Sequence, residues 1–85
     1  MLVSVKEVKP LNDYKLLLSF ENGEIRVFDM KPYLDKGIYK ELKDEEVFRS
    51  VSICFDSIEW ANRADIDPEF LYLKSIPYQS ENVKN

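Results

Sequence analysis

The 85-residue chain contains no histidine and only one cysteine, Cys54. A structural zinc site typically needs four cysteine or histidine ligands and a disulfide needs two cysteines, so neither is expected within this chain. Cysteine nucleophiles usually depend on a histidine base, and histidine is also the most frequent general base near neutral pH. We therefore expect a non-enzymatic protein without catalytic residues, metal or other cofactor.

Glycine is also scarce, and long apolar runs are absent. The chain has only two glycines and four prolines, so a long flexible linker is not expected. The charged residues Lys6 and Glu7 come too early for the apolar core of a signal peptide or a membrane span. The content of 45% hydrophobic and 33% charged residues is typical of a globular fold. We expect one cytoplasmic domain that does not associate with a membrane.

Basic charge is scarce in the second half of the chain. Residues 1–43 hold eight basic and seven acidic side chains, whereas residues 44–85 hold four basic and nine acidic ones. Binding to DNA or RNA requires clustered lysine and arginine side chains that displace counterions from phosphates. We expect no direct nucleic-acid binding, and a basic protein is the more natural partner.

The clearest local pattern is a hairpin centred on Asn22-Gly23, which separates two runs of alternating polar and apolar residues. This dipeptide predicts a two-residue type I′ turn, because both central positions need positive φ. The resulting register places Leu17 opposite Phe28 on the solvent face, where the chain itself, a partner or a second copy would cover them. The same register gives a core face of Leu16, Leu18, Phe20, Ile25 and Val27.

Further strands are predicted on both sides of this hairpin. Residues 2–8 alternate as a first strand, with a bulge or strand end at Val8 before Pro10. Residues 51–56 and 58–60 form a second hairpin with a turn at Ser57. Three side chains of that hairpin are predicted to face inward: Val51, Ile53 and Phe55.

Helix starts are indicated by two aspartates. Asp44 is a plausible N-cap for a short helix, and Asp67-Pro68-Glu69 has the composition of a helix N-terminus. The predicted fold is α+β: a small antiparallel, meander-like sheet of about five strands with short helices and a C-terminal helix. Residues 1–74 form the domain, and residues 75–85 form a flexible tail.

Acidic and aromatic residues are the remaining candidates for a site. The acidic stretch 56–69 lacks the spacing of a calcium loop, so we expect a cap at Asp67 and solvated carboxylates rather than metal ligands. Cys54 is predicted to be a half-buried apolar residue rather than a reactive thiol. Eleven aromatic residues are many for this length, and some should lie at the surface. The candidate partner-binding residues are Leu17, Phe28, Tyr33, Tyr39 and Tyr78.

The order of motifs resembles a bacterial family known as domain of unknown function 2442, over about residues 3–73. The residues that carry the resemblance are Phe20-Glu21-Asn22-Gly23-Glu24, Asp29, Gly37-Ile38-Tyr39, Leu42-Lys43-Asp44, Phe48, Trp60 and Ala64-Asp65-Ile66-Asp67-Pro68-Glu69-Phe70-Leu71-Tyr72. The resemblance implies a small α+β fold with a meander-like sheet and no established biochemical activity. It also implies two associations: genes that neighbour another small protein, as toxin and antitoxin pairs do, and relatives fused to a helix-turn-helix domain.

One segment departs from the family pattern. Ala61 and Arg63 stand where the family tends to have proline and glycine. If that glycine supplies a positive φ, the turn is either strained at Arg63 or shifted onto Asn62.

These observations favour a small protein-interaction module, an antitoxin-like partner of a basic neighbouring protein. The alternative is a regulatory ligand-sensing or dimerisation domain that acts with a separate DNA-binding partner. In that case the chain could form a homodimer. A carboxylate-dependent enzyme ranks last.

Overall fold

The computed structural model describes residues 3–79, which form two antiparallel sheets and two helices. One sheet has four strands and the other has three. Three 3-10 turns cover Asn12–Tyr14, Lys31–Tyr33 and Gly37–Lys43. The predicted α+β class is confirmed, with the strands distributed over two sheets. The elements are β1 (Val5–Leu11), β2 (Lys15–Phe20), β3 (Ile25–Asp29), α1 (Glu45–Phe48), β4 (Ser52–Cys54), β5 (Ser57–Glu59), β6 (Asp65–Ile66), α2 (Pro68–Lys74) and β7 (Ile76–Pro77). The strand order is β1-β2-β3-β7 in the four-stranded sheet and β4-β5-β6 in the three-stranded sheet.

The β2-β3 loop has three residues rather than the predicted two. The N–H of Gly23 donates to the carbonyl of Phe20, and the N–H of Phe20 donates to the carbonyl of Glu24, both at 2.9 Å. Gly23 has φ +92° as predicted, but Asn22 is not in the positive-φ region, so the turn is not type I′. The side chain of Asn22 instead accepts a hydrogen bond from the N–H of Glu24 at 3.0 Å. An Asn-Gly sequence also suits a three-residue loop, because the last residue of such a loop adopts the left-handed conformation that glycine favours.

The extra loop residue shifts the pairing of β2 with β3 by one position. The predicted core face of β3 is therefore wrong. Leu16 lies opposite Phe28, and Leu17 lies opposite Val27. Phe28 therefore points into the core, where only 1% of it is exposed, while Ile25 is 48% exposed on the other face. The predicted solvent-facing pair of Leu17 and Phe28 does not form, because a one-residue shift exchanges the two faces of a strand.

β1 continues further than the sequence predicted. Its pairing with β2 is irregular between Val5 and Glu7, just before the predicted bulge at Val8. The strand then runs through Pro10 to Leu11. Proline is tolerated at this position because β1 is an edge strand of its sheet, where a missing N–H leaves no neighbour unpaired.

The second hairpin turns at Phe55-Asp56, one residue before the predicted turn, so that Cys54 pairs with Ser57. Phe55 lies in the turn with φ +55° and is 97% exposed. Ile53 pairs with the fully buried Ile58 but is itself 40% exposed, because it lies on the edge strand of this small sheet. Val51 is half-buried. The predicted inward orientation is therefore wrong for Phe55 and only partly fulfilled by the other two residues.

Both aspartate caps are confirmed. Asp44 Oδ1 accepts a hydrogen bond from the N–H of Glu46 at 2.9 Å, and Asp67 Oδ1 accepts one from the N–H of Glu69 at 3.0 Å. Each carboxylate satisfies a backbone donor that the helix leaves unpaired. α2 then packs Phe70 against Phe28 and buries Leu71 completely, whereas Leu73 is 70% exposed.

The first residues of the predicted tail belong to the folded domain. Ser75 is buried, and β7 pairs with β3 next to Arg26 and Val27. Arg26 donates from Nε to Ser75 Oγ at 2.8 Å and from a terminal nitrogen to the Ser75 carbonyl at 2.7 Å. Its guanidinium also lies 4.6 Å above the ring of Tyr72. Residues 80–85 of the predicted tail lie outside the described residues.

The core lies on one face of the four-stranded sheet, beneath α2, the 3-10 turns and β5. Trp60 is 2% exposed and donates its indole N–H to the carbonyl of Phe48 at 3.0 Å. The most completely buried side chains of the described residues are Trp60, Phe20, Phe28, Phe48, Leu16, Leu18, Met30, Leu42, Ile58 and Leu71.

Candidate functional site

An open groove lies on the core side of the four-stranded sheet. Its volume is ≈ 410 Å³. Three separate segments meet there: the turns that follow β3, the short strand β6 and the first turn of α2. The lining residues are Met30, Tyr33, Tyr39, Asp65, Ile66, Asp67 and Phe70. We call this feature the acidic aromatic groove.

The aromatic wall of the groove is held in place by the core. Tyr33 is stacked on Phe28, with ring centroids 5.7 Å apart and planes inclined by 11°. Phe70 packs edge-on against Tyr33 at 5.5 Å and against Phe28 at 6.2 Å. Because Phe28 is buried, both groove rings have a fixed support, and their positions cost little ordering entropy on binding.

Tyr39 connects the 3-10 turn Gly37–Lys43 to β6. Its hydroxyl donates to the backbone carbonyl of Asp65 at 2.7 Å. Burial raises the pKa of Tyr39, and the negative charge of Asp65 raises it further. The phenol therefore stays protonated and keeps donating at neutral pH.

Two carboxylates form the acidic part of the lining. Asp65 and Asp67 are both exposed, and the helix cap uses one oxygen of Asp67. None of the residues lining the groove is basic. Within residues 3–79, no group of three or more carboxylate, cysteine or histidine side chains is arranged to hold a metal ion. The groove thus combines aromatic rings with an uncompensated negative charge.

A second hollow of ≈ 360 Å³ lies on the other side of β6 and shares Asp65, Ile66 and Asp67 with the groove. Asp56 and the exposed Phe55 also line it. Cys54 lies at this hollow and is half-buried, as predicted. Burial raises the pKa of its thiol, and the charge of Glu59 adds to the effect. A raised pKa keeps the thiol in its unreactive form at neutral pH.

The five residues predicted to bind a partner lie in three places. Tyr33 and Tyr39 line the groove together. Leu17 and Tyr78 lie on the opposite face of the four-stranded sheet, and Phe28 lies in the core. The sequence did not identify Phe70 as a groove residue, and it indicated Asp65 only as part of a solvated acidic stretch.

The departure from the family pattern has a visible consequence. Arg63 has φ +75°, in the region that favours glycine. The side chain of Asn62 accepts a hydrogen bond from the N–H of Ala64 at 3.1 Å and donates to Glu41 at 2.9 Å. Of the two predicted alternatives, the structure has the strained turn at Arg63, directly before β6.

No helix within residues 3–79 combines the length and the apolar character needed to cross a bilayer.

Comparisons with known proteins identify the family of the chain. No curated protein and no solved structure matches the chain. A family model described as "Protein of unknown function (DUF2442)" matches residues 5–77, and the chain therefore belongs to the DUF2442 family.

Proposed function

We propose that this chain is a cytoplasmic, non-enzymatic protein-interaction module that binds a basic segment of another protein in the acidic aromatic groove. The observation that carries the proposal is the composition of that groove: Tyr33, Tyr39 and Phe70 stand beside Asp65 and Asp67, with no basic lining residue.

A lysine or arginine side chain is the natural occupant of such a groove. A cation near an aromatic ring gains about 0.5 to 2 kcal/mol, depending on how far it is removed from water. A carboxylate at the same place adds a charge-assisted hydrogen bond. Aromatic residues held by a rigid core also match the composition of binding hot spots. The groove therefore suits a basic side chain better than an acidic or neutral one.

The charge distribution of the chain supports the same partner. Residues 44–85, which contribute both carboxylates of the groove, hold nine acidic and four basic side chains. Negative charge at the groove, from Asp65 and Asp67, attracts a basic protein and favours its approach to this site. We propose an antitoxin-like role, in which the partner is the small protein encoded by a neighbouring gene.

Co-purification tests this proposal. We expect the wild-type chain, expressed together with the product of the neighbouring gene, to purify as a complex. The double variant Asp65→Asn, Asp67→Asn should bind about tenfold more weakly, because it loses both groove charges. Asparagine caps a helix as well as aspartate does, so the fold is retained.

A matched variant controls for net charge. Glu21→Gln, Glu46→Gln removes two exposed carboxylates outside the groove and should bind as the wild type does. Equal weakening by both double variants would mean that general electrostatic attraction holds the complex. The absence of any complex would contradict the proposal.

The groove volume favours a second candidate, a regulatory ligand-sensing domain that acts with a separate DNA-binding partner. Pockets for small molecules have volumes of about 300 to 1,000 Å³, and the groove has ≈ 410 Å³. A thermal-shift screen against small cations separates the candidates. A ligand that raises the melting temperature of the wild type but not of Asp65→Asn, without a protein partner, would favour ligand sensing.

A further inference from the structure

A second surface lies on the face of the four-stranded sheet that points away from the core. The register places Leu17, Val27 and Ile76 in one row across the strands. In the next row, Tyr78 is hydrogen-bonded through its N–H to Ile25. Ile25, Ile76 and Tyr78 are 48%, 53% and 41% exposed, Leu17 is half-buried and Val27 is buried at 6% exposure. We call the surface formed by Leu17, Ile25, Ile76 and Tyr78 around the buried Val27 the outer sheet face.

Lysine side chains surround this apolar surface. A hollow on one side is lined by Lys6 and Lys9 together with Leu17, and a hollow on the other side is lined by Lys15 and Lys74 together with Ile76. Within residues 3–79, none of these four lysines takes part in an ion pair.

The acidic side chains of the same two hollows do not balance the lysines. They are Glu7 and Asp29. Asp29 is already paired with Lys31, with the charged atoms 3.4 Å apart. The outer sheet face is therefore locally positive on a chain of net charge −4, and its sign is opposite to that of the acidic aromatic groove.

The edges of the sheet do not favour addition of a further strand. β1 carries Lys6, Lys9 and Pro10, which are typical of a protected edge. β7 has two residues, and Pro77 lacks the N–H that a neighbouring strand would need. A partner is therefore expected to bind to the face of the sheet rather than to extend it.

We propose that the outer sheet face binds an acidic, amphipathic segment of a partner protein. Its apolar side chains would cover Ile25, Ile76 and Tyr78, and its carboxylates would meet the four lysines. Charge complementarity selects this occupant. A second copy of the chain would bring lysines against lysines, because a two-fold contact joins the same patch on both subunits.

The shape of the surface distinguishes a protein from an anionic membrane. The hollows beside the apolar row measure ≈ 370 and ≈ 220 Å³. Concave sites accept side chains of a protein partner, whereas insertion into a bilayer requires side chains that project outward.

The test is an NMR titration of the full chain with two synthetic amphipathic peptides of equal length. Both have leucines on one face; one has glutamates and the other lysines on the opposite face. We expect the glutamate peptide to shift the amide resonances of Leu17, Ile25 and Ile76, more strongly at low salt. The lysine peptide should leave these resonances unchanged.

Variants distinguish binding at the outer sheet face from nonspecific binding of the peptide to exposed apolar residues. Ile25→Ser, Ile76→Ser should weaken binding of the glutamate peptide by about tenfold, and Lys9→Gln, Lys15→Gln should weaken it and reduce its salt dependence. Leu73→Ser, which alters an exposed apolar residue of α2, should bind as the wild type does. Because all these positions are partly or fully exposed, we expect each variant to fold.

Several results would overturn the proposal. They are the absence of shifts with the glutamate peptide, equal shifts with both peptides, and unchanged affinity of the Ile25→Ser, Ile76→Ser variant. Binding of vesicles of anionic lipid without binding of the peptide would assign the surface to membranes. A wild-type dimer that Ile25→Ser, Ile76→Ser converts to a monomer would assign it to self-association.

Discussion

Arg63 shows how a single residue can depart from the preference of its backbone. It has φ +75° and an exposed side chain. The left-handed region costs a residue with a Cβ about 1 kcal/mol or more, whereas glycine adopts it without strain. The family resemblance left two alternatives, a turn strained at Arg63 or a turn shifted onto Asn62, and the structure has the first, with the side chain of Asn62 hydrogen-bonded to Glu41 and to the N–H of Ala64.

We predict that Arg63→Gly stabilises the protein. The relief of backbone strain should exceed the entropy that glycine adds to the unfolded chain, for a net gain of about 0.5 to 1 kcal/mol. Urea denaturation measures the gain as a higher midpoint. Arg63→Ala is the control, because alanine keeps the strain. A gain of equal size with alanine would show that the arginine side chain, rather than φ, is responsible.

The carboxylate of Glu24 connects the β2-β3 loop to Tyr72 of α2. It accepts hydrogen bonds from the hydroxyl of Tyr72 and from Arg26. The hydrogen bond from Tyr72 is the main reason that the pKa of Glu24 lies below its ordinary value of 4.5, and Arg26 and Asn22 lower it further. A lowered pKa means that folding favours the ionised form, so this contribution to stability is present above pH 4.5 and is lost as the pH falls through the lower folded value.

This linkage predicts how Glu24→Gln responds to pH. The variant should be less stable than the wild type at pH 7, and the difference in free energy of unfolding should shrink as the pH falls below 4.5 and the wild-type carboxylate becomes protonated. Urea denaturation at pH 7 and at a series of acidic pH values measures this difference. Glu21→Gln, in the same loop, should show no such convergence. A constant difference across this range would mean that Glu24 acts through packing rather than charge.

At the scale of elements, the sequence located the hairpins and caps well but not the strand register. Asn22-Gly23 marked the turn correctly, yet a glycine with positive φ ends both two-residue and three-residue loops. The choice between them exchanges the faces of β3, which moved Phe28 into the core and Ile25 out of it. The caps at Asp44 and Asp67 were predictable because capping depends only on residues within one helical turn.

The observed register predicts unequal effects of two substitutions in this hairpin. Phe28→Ser should destabilise the protein by at least about 3 to 5 kcal/mol, because it leaves a cavity beneath Tyr33 and Phe70. Leu17→Ser should cost about 1 kcal/mol or less, since Leu17 is half-buried on the outer sheet face. Thermal and urea denaturation measure both. Similar losses would support the two-residue loop and contradict the observed pairing.

The cap of α2 gives a second test at this scale. Asp67→Asn should leave the free energy of unfolding nearly unchanged, whereas Asp67→Ala should lower it by about 1 kcal/mol, because alanine cannot accept the N–H of Glu69. Chemical denaturation with and without Ca²⁺ or Mg²⁺ measures both variants. Stabilisation of the wild type, but not of Asp67→Asn, by either ion would identify a metal site instead.

At the scale of the whole molecule, the fold separates charges that the sequence mixes. The molecule measures 30 × 29 × 18 Å. The groove on its core side carries Asp65 and Asp67, while the outer sheet face is bordered by lysines. The sequence indicated Tyr33 and Tyr39 as surface aromatics. It could not place them beside Asp65 and Phe70, because that contact depends on how three distant segments pack.

The most direct test of the proposed function is hydrogen–deuterium exchange of the chain, alone and in complex with the neighbouring gene product. We predict that, at a partner concentration close to the Kd of the wild-type complex, binding slows exchange in residues 30–39 and 64–70, which line the acidic aromatic groove, and that the Asp65→Asn, Asp67→Asn variant loses most of this protection. Protection confined to other segments, or protection in the groove that is unchanged by removal of both carboxylates at that concentration, would contradict a groove that recognises a basic partner.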